Sequence, residues 1–180
     1  MALLVKHFLT LSDWSKWVFL LLSYTGARRG EIARLRAEDV KLDNDSGRYF
    51  ISINESKTEA GRRNIPLQNK IIDYGFLDFV KSKEGGYLFP EIVYVNQISK
   101  KFIQIRDDLD IASVSHENKR RVVHSLRHTF ITEAMKKIGN INIVQQVVGH
   151  EHSRIGQTQK YAGSFEVSDL LCVVDSIEWI

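Results

Sequence analysis

A mainly α fold with one small antiparallel β-sheet or hairpin, an α+β class, is predicted for this 180-residue chain. Three observations predict it. Most segments carry apolar residues at helical spacing and end at a glycine. Only residues 48–67 alternate with strand period around a turn. The composition is 43% hydrophobic and 26% charged, with no internal repeat and no linker, so a single globular domain over residues 1–180 is expected.

The elements follow in order. Ser12 or Asp13 can cap a helix in which Trp14, Trp17, Val18, Leu21 and Leu22 share a stripe, and Gly26 breaks it. A short helix is expected over 28–36, with Ile32 and Leu35 on one face. Residues 41–47 are polar and rich in turn formers. Strands are expected over 48–54, with Tyr49, Ile51 and Ile53 on one side, and over 63–67, where Pro66 marks the end. Residues 55–62, with Gly61, form the hairpin tip. Helices then follow over 69–83 (Ile72, Phe76, and Phe79 or Val80), 95–110 (Ile98, Phe102, Ile105), 125–138, Ile141–Val148 and 167–177. Gly85-Gly86, Gly139 and Gly149 close three of these.

Several classes are excluded early. The lone Cys172 rules out an intrachain disulfide and a Cys-pair zinc finger. The apolar run at 17–22 is far below the roughly 20 residues of a membrane span, and the N-terminus lacks a signal-peptide pattern. A cytoplasmic protein with no membrane partner is expected. Twenty-five Lys and Arg against 22 acids give a net charge of +3, mildly basic. The distribution is more telling. No acid lies between Glu117 and Glu133, an interval holding Lys119, Arg120, Arg121, His124, Arg127 and His128.

Four places can carry chemistry. His124 and Arg127 stand three apart at a helix start, where both can reach one anion, although a solvated polar face has the same pattern. Arg28 follows the turn at Gly26, with Glu31 on the same face; this is a surface ion pair or an arginine aimed at phosphate. Lys57 sits at the hairpin tip, with Arg62 and Arg63 across from it, as solvated charge or as a basic finger for a DNA groove. Tyr161 is core, surface or nucleophile. A free phenol is only about 0.1% ionised at neutral pH, so attack needs cations or a base. His124 and His128, four apart, lack the Glu of a zinc-protease helix and enclose Arg127, so no metal is expected.

The ordered set Thr25-Gly26-Ala27-Arg28-Arg29-Gly30-Glu31, Ser56-Lys57-Thr58, Arg63-Asn64-Ile65-Pro66-Leu67, His124-Ser125-Leu126-Arg127-His128, Val148-Gly149-His150 and Tyr161 closely resembles the catalytic domain of the tyrosine recombinases, the phage integrase family. The resemblance runs over about residues 9–163. It implies that Arg28 and Arg127 clamp the scissile phosphate. Lys57 would protonate the leaving 5′-oxygen, His124 would assist acid–base chemistry, and His150 would hydrogen-bond the phosphate. Tyr161 would form a 3′-phosphotyrosyl link. No cofactor is implied, neither metal nor ATP. Double-stranded DNA is the implied partner, in site-specific recombination. Arg29, Arg62, Arg63, Lys119, Arg120 and Arg121 are candidate DNA contacts, with Gln97, Ser99, Lys100 and Lys101 on another helix. The apolar tail 165–180, through Leu170, Leu171 and Val174, is expected to dock onto a neighbouring protomer of a tetramer or to pack on its own core.

Two departures stand out. The step from His150 to Tyr161 is longer than the family's usual spacing, so His152 could share the role of His150. Tyr161 stays the expected nucleophile because Tyr24, Tyr49, Tyr74, Tyr87 and Tyr94 all precede the His124–Arg127 box. The family's N-terminal helical DNA clamp is not expected within these residues. Competing readings are a type IB topoisomerase, a DNA-binding module without catalysis, and an assembly module resting on the tail.

Overall fold

The computed structural model describes residues 1–54, 61–83, 85–149 and 165–180. Its centre is α2 (Trp14–Thr25), in which Val18, Phe19, Leu20, Leu21 and Tyr24 are all fully buried. A helix apolar on every side must be wrapped by others. α1 (Ala2–Thr10) packs on it at one end, and α7 (His124–Ile138) along its length. Asp13 caps α2 by accepting from the Ser15 N–H at 2.9 Å. Gly26 closes the helix at φ 63°, where an added Cβ would lie 2.5 Å from Phe130 Cδ1. The α2–α7 approach is therefore set by the absence of a side chain at position 26.

After α3 (Arg29–Ala33) and a 3-10 turn (Ala37–Asp39), an antiparallel sheet forms in the order β1-β2-β3. The strands are β1 (Val40–Asp43), β2 (Arg48–Ile53) and β3 (Arg63–Pro66). Ile51 faces Val40 on one side and Ile65 on the other. Ile51 and Ile65 are fully buried, so the central strand carries the sheet's apolar face into the core. The helices α4 (Asn69–Asp73), α5 (Phe76–Lys81), α6 (Asn96–Asp108), α8 (Ile141–Val148) and α9 (Val167–Asp175) complete the described residues.

The architecture is the predicted mainly helical one with a small sheet, and four details differ. Residues 2–10, for which no element is expected, form α1. Residues 40–43 are a half-exposed edge strand instead of part of a turn. The single helix expected over 69–83 is two, because Gly75 takes φ 92° between them. The helix expected over 28–36 is limited to Arg29–Ala33, with Arg28 extended at its N-cap.

The C-terminal tail takes one of its two expected courses, packing on its own core. Its apolar face is used within the chain: α9 lies on α8, β3 and α7, and Leu170, Val173, Val174 and Ile177 are buried. Gln68 Nε2 donates to the carbonyls of Val174 and Ile177 at 3.0 and 2.6 Å. Arg48 forks onto Asp175, and Trp179 Nε1 donates to the Ser23 carbonyl at 2.9 Å. Leu170 and Val174 are core positions of this chain. Among the described residues, no helix is long and apolar enough to cross a membrane.

Candidate active site

The turn after α2, the start of α7 and the end of α8 meet at one place. Arg28 sits at the N-cap of α3, and Glu31, three residues on, accepts its backbone N–H at 2.7 Å. The same carboxylate accepts from Arg28 Nη1 at 2.9 Å, so one residue fixes both the backbone and the side chain of Arg28. Arg28 Nη2 donates to the Gly149 carbonyl at 2.7 Å. Its side chain remains 43% exposed and so can still meet a ligand.

Arg127, in the first turn of α7, is only 3% exposed. Its Nη1 donates to the carbonyls of Gly26 and Val148 at 2.6 and 2.7 Å. Its Nη2 is buried with no hydrogen-bond partner among the described residues. Burial first, then the like charges of Arg28 and Arg63, lower the Arg127 pKa to about 10, while Glu31 opposes the fall. It stays cationic at neutral pH, in an electrostatically unfavourable position. An unsatisfied buried donor on a crowded cation carries a free-energy cost that an acceptor or an anion would relieve.

His124 opens α7. Its pKa is lowered by partial burial, then by His128, Arg127, Arg28 and Arg29. Its ring meets that of His128 edge to face, with centroids 4.7 Å apart. Burial and the surrounding cations disfavour the imidazolium and leave the ring suited to accept a proton and pass it on. Three of the expected catalytic residues, Arg28, His124 and Arg127, thus come together. Lys57, His150, His152 and Tyr161 lie outside the described residues.

The candidate DNA contacts divide. Arg62 and Arg120 are exposed, and so is Lys119, paired with Glu117. Arg29 is hydrogen-bonded to Ser99 and also exposed, beside the site. Arg121 is half-buried and donates to the Ala112 carbonyl at 3.1 Å. Gln97 caps the start of α6 by accepting from the Tyr94 N–H, and Lys101 pairs with Asp13. Arg63 is a correction. Its side chain is 1% exposed and paired with Glu31 at 2.9 Å, so it has no free surface for a groove. Its strand phase carried the signal: Arg63 shares the inward face of β3 with Ile65, while Asn64 between them is exposed.

Arg28 and Arg63 both pair with one carboxylate, Glu31, which is 8% exposed and also acts on Arg127 through its charge. Burial alone would raise the pKa of Glu31, but hydrogen bonds and charge from Arg63, then Arg28, hold it below the usual carboxylate value. Among the described residues, three cations against this one anion leave a surplus of positive charge, with Arg63 and Arg127 buried and Arg28 partly exposed. Among the described residues no group of His, Cys, Asp and Glu is arranged to hold a metal ion.

Known proteins carry the same arrangement of sequence and fold. The integrase of Escherichia phage P2 is 29% identical over 148 residues, covering 82% of this chain and 37% of that protein. A tyrosine recombinase of Pseudothermotoga lettingae is 29% identical over 143 residues, covering 78% and 46%. The chain thus spans less than half the length of these curated relatives. The XerH site-specific recombinase, solved with its difH substrate before cleavage, shares the fold at a TM-score of 0.63 and 21% identity, over 81% of this chain and 45% of that one. The pattern of the phage integrase family matches residues 2–166, nearly the whole chain and all of the cluster just described. The chain therefore belongs to the phage integrase family.

Proposed function

We propose that this chain is the catalytic unit of a site-specific DNA recombinase, cutting and rejoining strands through a covalent phosphotyrosine intermediate. The observation that carries the reading is the buried Arg127, with a free Nη2, beside Arg28 in a cluster of surplus positive charge. A phosphodiester supplies the missing anion and acceptors. Attack on phosphorus adds charge to its non-bridging oxygens, so the two guanidiniums bind the transition state more strongly than the ground state.

The remaining roles rest on the motifs. The Tyr161 oxygen bonds to phosphorus as its proton leaves, with His124 positioned by the α7 start to assist. The bond from phosphorus to the 5′-oxygen breaks, and Lys57 gives that oxygen its proton. His150 hydrogen-bonds the phosphate. The phosphotyrosyl link retains the diester's energy, so rejoining is the reverse attack by a 5′-hydroxyl and requires neither metal nor ATP. Double-stranded DNA in the cytoplasm is the substrate. A tetramer on DNA that uses the tail would require α9 to leave its own groove.

The test is a covalent-adduct assay with supercoiled plasmid and nicked duplexes from the flanking DNA, in chelator and without ATP. A protein-linked 3′ end that disappears in Tyr161→Phe is expected. An adduct persisting in Tyr161→Phe, or none from the unaltered chain that binds the DNA, would overturn the assignment.

A further inference from the structure

We infer that Arg63 is a positioning residue that holds three site-bearing segments in register without touching DNA itself. The inference rests on the strand-cleaving reading of the site. The Arg63 guanidinium donates to four acceptor atoms, three of them on two distant stretches of chain and one beside it on its own. Nη2 and Nη1 reach the two carboxylate oxygens of Glu31 at 2.9 and 3.2 Å. Nε reaches the Val147 carbonyl at 2.7 Å, and Nη1 also reaches the Gly61 carbonyl at 2.8 Å.

Each acceptor stands next to something the reaction uses. Glu31 fixes Arg28. Val147 is three residues before His150, at the end of α8, where the Val148 carbonyl holds Arg127 and the Gly149 carbonyl holds Arg28. Gly61 ends the connection between β2 and β3 that contains Lys57. The contact is close: a Cβ at Gly149, itself at φ 68°, would lie 2.6 Å from Arg63 Nη1.

Two arguments separate this role from ordinary core packing. Burying an ion pair is weak support for stability, and an apolar residue of similar volume in phase with Ile65 would suit the sheet as well. A third cation beside Arg28 and Arg127 also carries an electrostatic cost. The planar fork reaches acceptors on opposite sides at once, and a lysine ammonium, a point donor, cannot.

The experiment compares the full chain with Arg63→Lys and Arg63→Met. Arg48→Lys serves as a control, because Arg48 also forks onto a carboxylate, Asp175, away from the site. DNA affinity is measured on the nicked flanking duplexes, the adduct rate at saturating DNA, and amide exchange along the chain. In Arg63→Lys the adduct rate should fall about 100-fold, the scale of an ångström-sized misplacement, with DNA affinity unchanged. Exchange should quicken at Val148 and Gly149 and not in α2. Arg48→Lys should lose thermal stability and keep its rate. Arg63→Lys that keeps its rate, or loses protection uniformly, would overturn the inference. If the unaltered chain makes no adduct, the cleavage reading fails, and exchange alone decides: local loss at the end of α8 supports the register, uniform loss overturns it.

Discussion

Among the described residues Glu31 is the carboxylate that stands with three guanidiniums, and Glu31→Gln tests what its charge does. The substitution keeps shape and volume, but it places an amide that donates where Arg63 also donates. The Arg63–Glu31 pair is almost fully enclosed, with side chains 1% and 8% exposed. Removing one partner of such a pair costs about 3–5 kcal/mol, because the other charge stays buried without its counter-ion. For a chain of this size that is a fall in Tm of about 10 °C. The pH dependence identifies the cause. The pKa of Glu31 in the fold is lowered from its ordinary value of 4.5. The stability it contributes is fully present above that ordinary value and is lost as pH falls through the lower folded value. The amide of the variant does not titrate. Thermal unfolding followed by circular dichroism, from neutral pH down to about pH 3, should therefore show a gap that narrows below the unfolded carboxylate pKa. A gap that stays constant would show that packing, not charge, holds the cluster, and the electrostatic account would fail.

Three further outcomes follow from the same geometry. Gly26→Ala forces a Cβ to within 2.5 Å of Phe130 Cδ1 at a positive φ, so the urea midpoint should fall by the equivalent of about 1–3 kcal/mol with m unchanged; an unaltered midpoint would mean that α7 yields freely. The His124 imidazole should titrate by NMR below the ordinary value of 6.5, and inorganic phosphate should move the midpoint upward by favouring the imidazolium; a midpoint at or above the ordinary value would remove the cations from its surroundings. Leu170→Ala opens a cavity under α9 and should cost about 2–5 kcal/mol with no change in mass by light scattering, whereas a lost assembly at unchanged stability would place Leu170 at an interface.

What the sequence made legible was punctuation and period. Asp13 and Gly26 bracket α2, Gly139 and Gly149 end α7 and α8, and Pro66 closes β3, because each residue type has a narrow backbone role. The elements that escaped lacked that contrast. The residues of α1 include no side-chain cap, so 2–10 carried no start signal. β1 is a half-exposed edge, and Lys41, Leu42 and Asp43 read as part of the polar turn at 41–47 because the strand is short and two of its four side chains are exposed. The break at Gly75 hides inside a continuous apolar stripe. Of the site, Arg28, His124 and Arg127 were legible as motif members. Arg63 was named and misplaced: its charge suggested solvent, and the strand phase it shares with Ile65 outweighed that.

The choice of partners for the arginines explains why the cluster keeps its charge. A guanidinium needs acceptors to be oriented, and carboxylates would supply them while cancelling the positive potential. Here most of the acceptors are backbone carbonyls: Gly26 and Val148 for Arg127, Gly149 for Arg28, Val147 and Gly61 for Arg63. A carbonyl directs the fork and leaves the net charge in place. Glu31 is the exception, and it is spent mainly on Arg63, whose side chain is almost fully enclosed, while it holds Arg28 through one nitrogen and the backbone. The surplus then falls on Arg28, partly exposed, and on Arg127, whose Nη2 is unpartnered among the described residues. The unfavourable crowding seen in the lowered pKa of Arg127 is relieved only when an anion enters, and more as that anion gains charge. A second carboxylate in place of any of these carbonyls would stabilise the resting fold and weaken the cluster's attraction for an anion.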